Sequence, residues 1–119
     1  GVMIDDTFLA LADPTRRGVI GLLRTGPLRA GEIASALDVN KTALSRHLRT
    51  LRESGLVHER PLEEDARVHV YELRRAPFSA LREWLDEVEE HWTLQLDSFK
   101  QHAERTRGTA TKRRGRRPT

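Results

Sequence analysis

The chain has 119 residues, 33% of them charged and 37% hydrophobic, with no cysteine and a formal net charge of +3. That length suits one domain with one modest core. The lack of cysteine excludes disulfides, a thiol redox switch, a thiolate nucleophile and Cys-ligated zinc, and no apolar run approaches the ~20 residues that span a bilayer.

The opening "GVMIDDTFLA" lacks the basic and apolar regions of a signal peptide, so a cytoplasmic location is expected. Asp5 or Asp6 can cap a first short helix whose apolar members are Phe8, Leu9, Leu11 and Ala12. Asp13 followed by Pro14 is an N-cap and N1 pair that starts a second helix. Val19, Ile20, Leu22 and Leu23 give that helix its buried face, and Gly26-Pro27 stops it. A third helix turns Ile33, Ala34 and Leu37 inward. Asp38 stands at a tight turn, where Asp tolerates a left-handed backbone. Asn40 caps a fourth helix over 41–54, and Gly55 ends it. The small residue Ala34, the turn residue Asp38 and the apolar Leu44 have the spacing of a helix-turn-helix.

Two β-rich runs follow, carrying Val57, Val68, Val70 and Tyr71 around the acidic Glu63-Glu64-Asp65. They predict a hairpin with Pro61 at a strand end or edge. From about Pro77 to Glu104 the residues Phe78, Leu81, Leu85, Val88, Trp92, Gln95, Phe99 and His102 recur in steps of three and four, the seam of one long helix. Such a helix is roughly 40 Å long, longer than so small a core covers, so its outer part is expected to pack on a second copy. Residues 105–119 carry seven Lys or Arg and no acid, leaving 14 basic and 18 acidic residues before them, a net −4. The basic balance belongs to this tail, which by composition is flexible and attracts polyanions without sequence preference. For the folded part, charge placement matters more than charge total.

The fourth helix places its charges unevenly. Leu44, Leu48 and Leu51 share one face; Thr42, Ser45, Arg46 and Arg49 share the opposite one, with no acid until Glu53. A major-groove floor offers base-edge acceptors between phosphate walls, so hydroxyls and guanidinium groups suit it and carboxylates do not. Lys41 at the entry and Arg52 at the flank are phosphate contacts in this reading. His47 lies towards the leucines, where a structural role is as plausible as a DNA one. A solvated surface face has the same residue types; its position between the turn and the hairpin favours DNA.

From about Phe8 to Glu104 the chain resembles the ArsR/SmtB family of bacterial winged-helix repressors. The stretches that carry the resemblance are "LADPTRRGVIGLL", "AGEIASALDVNKTALSRHLRTLRESGLV" and "VYEL". "EHWTLQLDSFKQHAE" is most similar to a subgroup with a Trp- and Leu-rich last helix and no cysteine metal site. The resemblance implies a homodimer on double-stranded operator DNA, a recognition helix in each major groove and an inverted-repeat operator. It implies DNA contacts from Lys41, Thr42, Ser45, Arg46, His47, Arg49, Arg52 and, on the wing, Arg67. Phe8, Leu9, Phe78, Leu81, Leu85, Val88, Trp92 and Phe99 would form the dimer interface. The wing departs from the family: its tip is acidic, with only Arg60 and Arg67 beside it. Family zinc sites on the last helix correspond to Glu89, His91 and His102, but Arg105 stands where a fourth ligand, a Glu, belongs. No cofactor is therefore expected, with zinc the one metal candidate. No Gly-rich phosphate loop or nucleophile-base spacing occurs, which argues against an enzyme.

The expected fold is mainly α with a small β-hairpin, a winged helix-turn-helix of about five helices that dimerises through the first and last. Residues 1–104 form its DNA-binding and dimerisation domain and 105–119 its tail. The acidic body and wing also fit a second reading, a dimerisation or protein-interaction module with only weak, non-specific DNA binding.

Overall fold

The computed structural model describes residues 4–107. In chain order these form α1 (Ile4–Leu11), α2 (Pro14–Leu23), α3 (Ala30–Leu37), α4 (Lys41–Glu53), β1 (Val57–Pro61), β2 (His69–Leu73) and α5 (Arg75–Arg107). Two compact units divide this chain, one up to Arg82 and one from Glu83 onward.

Local chemistry sets most boundaries in the first unit. The Asp13 carboxylate accepts the Arg16 backbone N–H at 3.0 Å and Pro14 occupies N1, so α2 begins where a missing donor costs nothing. Glu32 reaches back to the Arg29 N–H at 2.8 Å to start α3. Asp38 ends α3 in the left-handed region (φ 55°, ψ 48°), and its N–H and that of Val39 return to the Ser35 and Ala34 carbonyls. The Asn40 side chain accepts the Ala43 N–H at 2.8 Å to start α4. Gly55, at φ 79°, releases the chain from α4, and the Leu56 N–H closes on the Leu51 carbonyl. α1 differs from expectation: the helix already includes Ile4, so Asp5 and Asp6 lie inside its first turn, where they complement the helix dipole rather than cap it.

The core gathers Ala10, Val19, Leu23, Ile33, Ala34, Leu44, Leu48, Leu51, Leu56 and Val57. α2 and α3 approach closely at Gly18, where a Cβ would lie 3.1 Å from a Leu37 methyl. The face that α1 buries is made by its small residues Thr7 and Ala10, while Phe8 and Leu9 face outward. The Thr7 hydroxyl is buried and has no hydrogen-bond partner among the described residues. An unpaired buried hydroxyl costs ~1–3 kcal/mol, and valine matches threonine in shape. Thr7→Val should therefore stabilise the fold by about 1 kcal/mol, a rise of roughly 4 °C in a thermal melt.

β1 and β2 pair antiparallel from Val57 opposite Leu73 to Pro61 opposite His69, which puts Pro61 at a strand end. Leu28 adds a bridge on the outer side of β2 through two hydrogen bonds with Tyr71, at 2.8 and 3.1 Å. A helix-turn-helix, then this hairpin, is the winged arrangement.

Phe78, half-buried, packs against its own domain's core. Periodicity alone places a residue on a face; it does not say what that face meets. The second unit consists, where described, of the rest of α5, and Leu85, Val88, Trp92, Leu96 and Phe99 are exposed on it. α5 runs three residues beyond the expected domain limit at Glu104, and the tail from residue 108 to 119 lies outside the described residues. Among the described residues no helix is long and apolar enough to cross a membrane.

Candidate nucleic-acid interface

α3 and α4 are joined by Asp38, Val39 and Asn40, and this short turn fixes α4 against the core through Leu44, Leu48 and Leu51, all nearly inaccessible. The spacing of those leucines leaves one outward face. Lys41, Thr42, Ser45, Arg46 and Arg49 are exposed on α4. None of their side chains makes a hydrogen bond or ion pair among the described residues. Three cations and two hydroxyls thus remain available, and the first two turns contain no carboxylate. Partners of opposite charge would satisfy this face, and its lack of acid removes the repulsion that phosphate would otherwise meet.

The other expected DNA contacts are occupied within the chain. Arg52 Nη1 donates to Glu59 Oε1 at 2.9 Å, and the second Glu59 oxygen lies 3.1 Å from His69 Nδ1. This chain of contacts ties the end of α4 to both hairpin strands. His47 turns away from the exposed face: its Nδ1 is 3.4 Å from Arg16 Nη1 and 3.8 Å from Asp13 Oδ2. The backbone N–H of Arg16 holds the Asp13 carboxyl below its ordinary range, so it stays ionised beside them.

At the hairpin tip Arg67 grips Asp65 through Nε and Nη2, at 3.0 and 3.1 Å. This guanidinium lowers the Asp65 pKa, and the pair is neutral at ordinary pH. Arg60, the other flanking cation, donates through Nε to Glu72 at 2.7 Å, and His58 Nε2 lies 2.8 Å from the same oxygen. The Arg60 hydrogen bond, then that of His58, lowers the Glu72 pKa. Both wing cations are therefore paired, while Glu63 and Glu64 are exposed, make no hydrogen bond or salt bridge among the described residues, and meet Arg60 only at Coulombic range. Two unit charges a few ångströms apart in water interact by ~1 kcal/mol. The double change Glu63→Gln with Glu64→Gln should tighten binding to any duplex by about fivefold or less at low salt. The gain should shrink at high salt, as anisotropy titrations at two ionic strengths would show. No gain at either salt would put the tip beyond a Debye length of ~10 Å from the phosphates.

On α5, Leu85, Val88, Trp92, Leu96 and Phe99 recur at steps of three and four, so they share one side of the helix. Leu96 escaped the sequence reading because it falls between two seam positions. Leu81 is half-buried, and Phe8 and Leu9 are exposed on α1. His91 Nε2 lies 3.5 Å from Gln95 Nε2. His91 and His102 are eleven residues apart, about 16 Å along one helix, so one subunit cannot use both for one ion. Among the described residues no three His, Asp or Glu side chains converge on a metal position.

Two features went unread in the sequence. Arg16 donates to the Ala10 and Leu9 carbonyls at 2.7 and 3.1 Å, and Arg17 to the Leu11 carbonyl at 2.8 Å. The Arg52–Glu59–His69 chain joins residues with no helical or strand periodicity in common. The only sequence signal for the first was the pair of arginines directly after the Asp-Pro start.

Known proteins share this arrangement. The profile described as bacterial regulatory protein, arsR family, matches residues 13–59, from the α2 cap into β1. HTH-type transcriptional regulator Rv2034 of Mycobacterium tuberculosis is 39% identical over 97 residues, 82% of this chain and 85% of its own length. The arsenical resistance operon repressor of Escherichia coli is 46% identical over 54 residues, 44% of this chain and 46% of that protein. Among solved structures, an ArsR-like transcriptional regulator from Rhodococcus sp. RHA1 superposes with a TM-score of 0.70 at 26% identity, covering 84% of this chain and 89% of that one. These relatives are regulators of transcription rather than enzymes.

Proposed function

The chain belongs to the bacterial ArsR family of DNA-binding transcriptional regulators, and from that premise we propose that two copies form a repressor on an inverted-repeat operator. The observation that carries this reading is the outward face of α4, where Lys41, Thr42, Ser45, Arg46 and Arg49 stand exposed and without partners among the described residues. Thr42 and Ser45 meet base edges or phosphate near the helix N-terminus. Arg46 and Arg49 reach phosphate or pair bidentately with guanine. His47, Arg52 and Arg67 serve within the protein, since each already has a partner. The wing, with its cations paired and its acids exposed, makes few contacts.

The dimer is supported by the row from Leu85 to Phe99 on α5, because water-exposed residues of this size in line mark an interaction surface. A two-fold dimer presents its two recognition helices about one helical turn of DNA apart, ~34–36 Å. The protein acts in the cytoplasm, where its operator is, and without a resident cofactor.

Fluorescence anisotropy of the purified chain on its own upstream DNA and on a random duplex, at two salt concentrations and with or without zinc, tests this. Selective binding that zinc leaves unchanged is the expected result. Equal, weak, salt-sensitive binding to both duplexes would instead favour an interaction module with non-specific DNA affinity. Release by zinc would overturn the cofactor-free reading.

A further inference from the structure

One side chain joins the end of α1 to the middle of α4. The last carbonyls of any helix lack intrahelical partners. In α1, those of Leu9 and Ala10 are taken by Arg16 Nη2 and Nε, at 3.1 and 2.7 Å. The remaining Arg16 nitrogen, Nη1, lies 3.4 Å from Nδ1 of His47 on α4. The neutral imidazole accepts there when its proton is on Nε2. Asp13 steadies the guanidinium's helix from below: its Oδ2 accepts the Arg16 N–H at 3.0 Å and stands 3.8 Å from the same His47 nitrogen. Asp13 and Arg16 are the charged groups that His47 meets, both from α2. His47 is partly buried, with about a quarter of its side chain exposed.

This cluster supplies something the core does not. Leu44, Leu48 and Leu51 hold α4 by burial, which is non-directional and tolerates a roll of the helix. A hydrogen bond is directional. At a helix radius of ~5–6 Å, a roll of about 20° carries side chains about 2 Å, more than a bidentate contact to a base allows. His47 lies between Arg46 and Arg49 in sequence and on the flank of their face, so fixing its ring fixes their heading.

We infer that Arg16 and His47 are positioning residues for DNA recognition: the Arg16 clamp on the α1 carbonyls, extended through His47, sets the roll of α4 and with it the aim of Arg46 and Arg49. The inference rests on the DNA-binding reading above. It also joins recognition to α1, since whatever displaces the Leu9–Ala10 turn pulls on the same guanidinium.

The test uses the full chain as wild type, His47→Ala, His47→Asn and Arg16→Lys. Asn places an oxygen acceptor near the Nδ1 position; Lys keeps the charge and loses the three-way reach. Duplexes enriched by the wild type from a random pool serve as the specific probe, and scrambled duplexes of equal composition as the non-specific one. His47→Ala and Arg16→Lys should lower the ratio of specific to non-specific affinity on the order of tenfold, as for one lost hydrogen bond to a charged group. Non-specific affinity should stay level, and His47→Asn should recover most of the ratio. Without DNA, hydrogen exchange of the α4 amides should quicken in His47→Ala but not in His47→Asn. A His47→Ala protein with wild-type selectivity overturns the inference, and so does an equal loss on both probes. If the wild type enriches nothing, the DNA-binding reading fails; exchange then decides the clamp alone, and identical exchange in all four proteins overturns it. Arg16→Lys keeps the test open if the His47 variants do not fold.

Discussion

Arg49→Ala lowers affinity for the specific operator by at least about thirtyfold and leaves the melting temperature and the oligomeric state unchanged. A good bidentate guanidinium–base contact is worth ~1–3 kcal/mol of discrimination, and a two-fold dimer loses it twice. Arg49 is exposed, has no partner among the described residues and stands one turn beyond Ser45 on the face opposite the buried leucines. Its removal therefore empties no cavity and strands no buried charge. On random duplex the same change should cost far less, because only one phosphate contact per subunit is lost and the salt slope of the dimer falls by about two units. Anisotropy on both duplexes, beside a thermal melt, checks this. An unchanged operator affinity would mean that α4 does not face the bases.

Trp92→Ala should raise the dimer dissociation constant by at least about thirtyfold. Interface tryptophans that anchor a buried centre typically cost 2 kcal/mol or more when truncated, and each 1.4 kcal/mol is a factor of ten. Trp92 is 62% exposed in the single chain and lies midway along the row from Leu85 to Phe99, the place where a symmetric pairing would desolvate it most. Sedimentation velocity at micromolar concentration reads the shift directly. Operator affinity should fall with it at low protein concentration and recover as concentration rises, because the DNA contacts themselves remain. A variant that is as dimeric as the wild type would move the interface elsewhere.

The parts of this molecule that were legible in the sequence are those decided by local chemistry. Asp13-Pro14, Asn40 and Gly55 mark helix ends because each satisfies or releases backbone groups within a few residues. Asp38 was readable as a turn because few other residues accept its left-handed backbone. The sidedness of α4 was readable because three buried leucines at helical spacing fix which residues face away. What stayed hidden depends on tertiary contact. Nothing in the order of residues says that Arg52 meets Glu59, that Arg67 turns back on Asp65, or that Arg16 meets His47, thirty-one positions on. Those pairings show which cations of a basic-looking region already have a partner within the chain and which, on the α4 face, do not. At α1 the small Thr7 and Ala10 enter the core while the larger Phe8 and Leu9 stay outside, a division that residue size does not announce. Phe78 continues the α5 seam and also meets its own domain's core, a contact that periodicity does not specify.

The most direct test of the central claim, two α4 helices reading one symmetric site, is the symmetry of the DNA that the protein selects. Duplexes enriched from a random pool by the wild-type chain should converge on an inverted repeat with half-site centres about 10 base pairs apart. Hydroxyl-radical footprints on them should show two protected patches related by that dyad. Enrichment of a single asymmetric half-site, or of no sequence at all, would contradict the account.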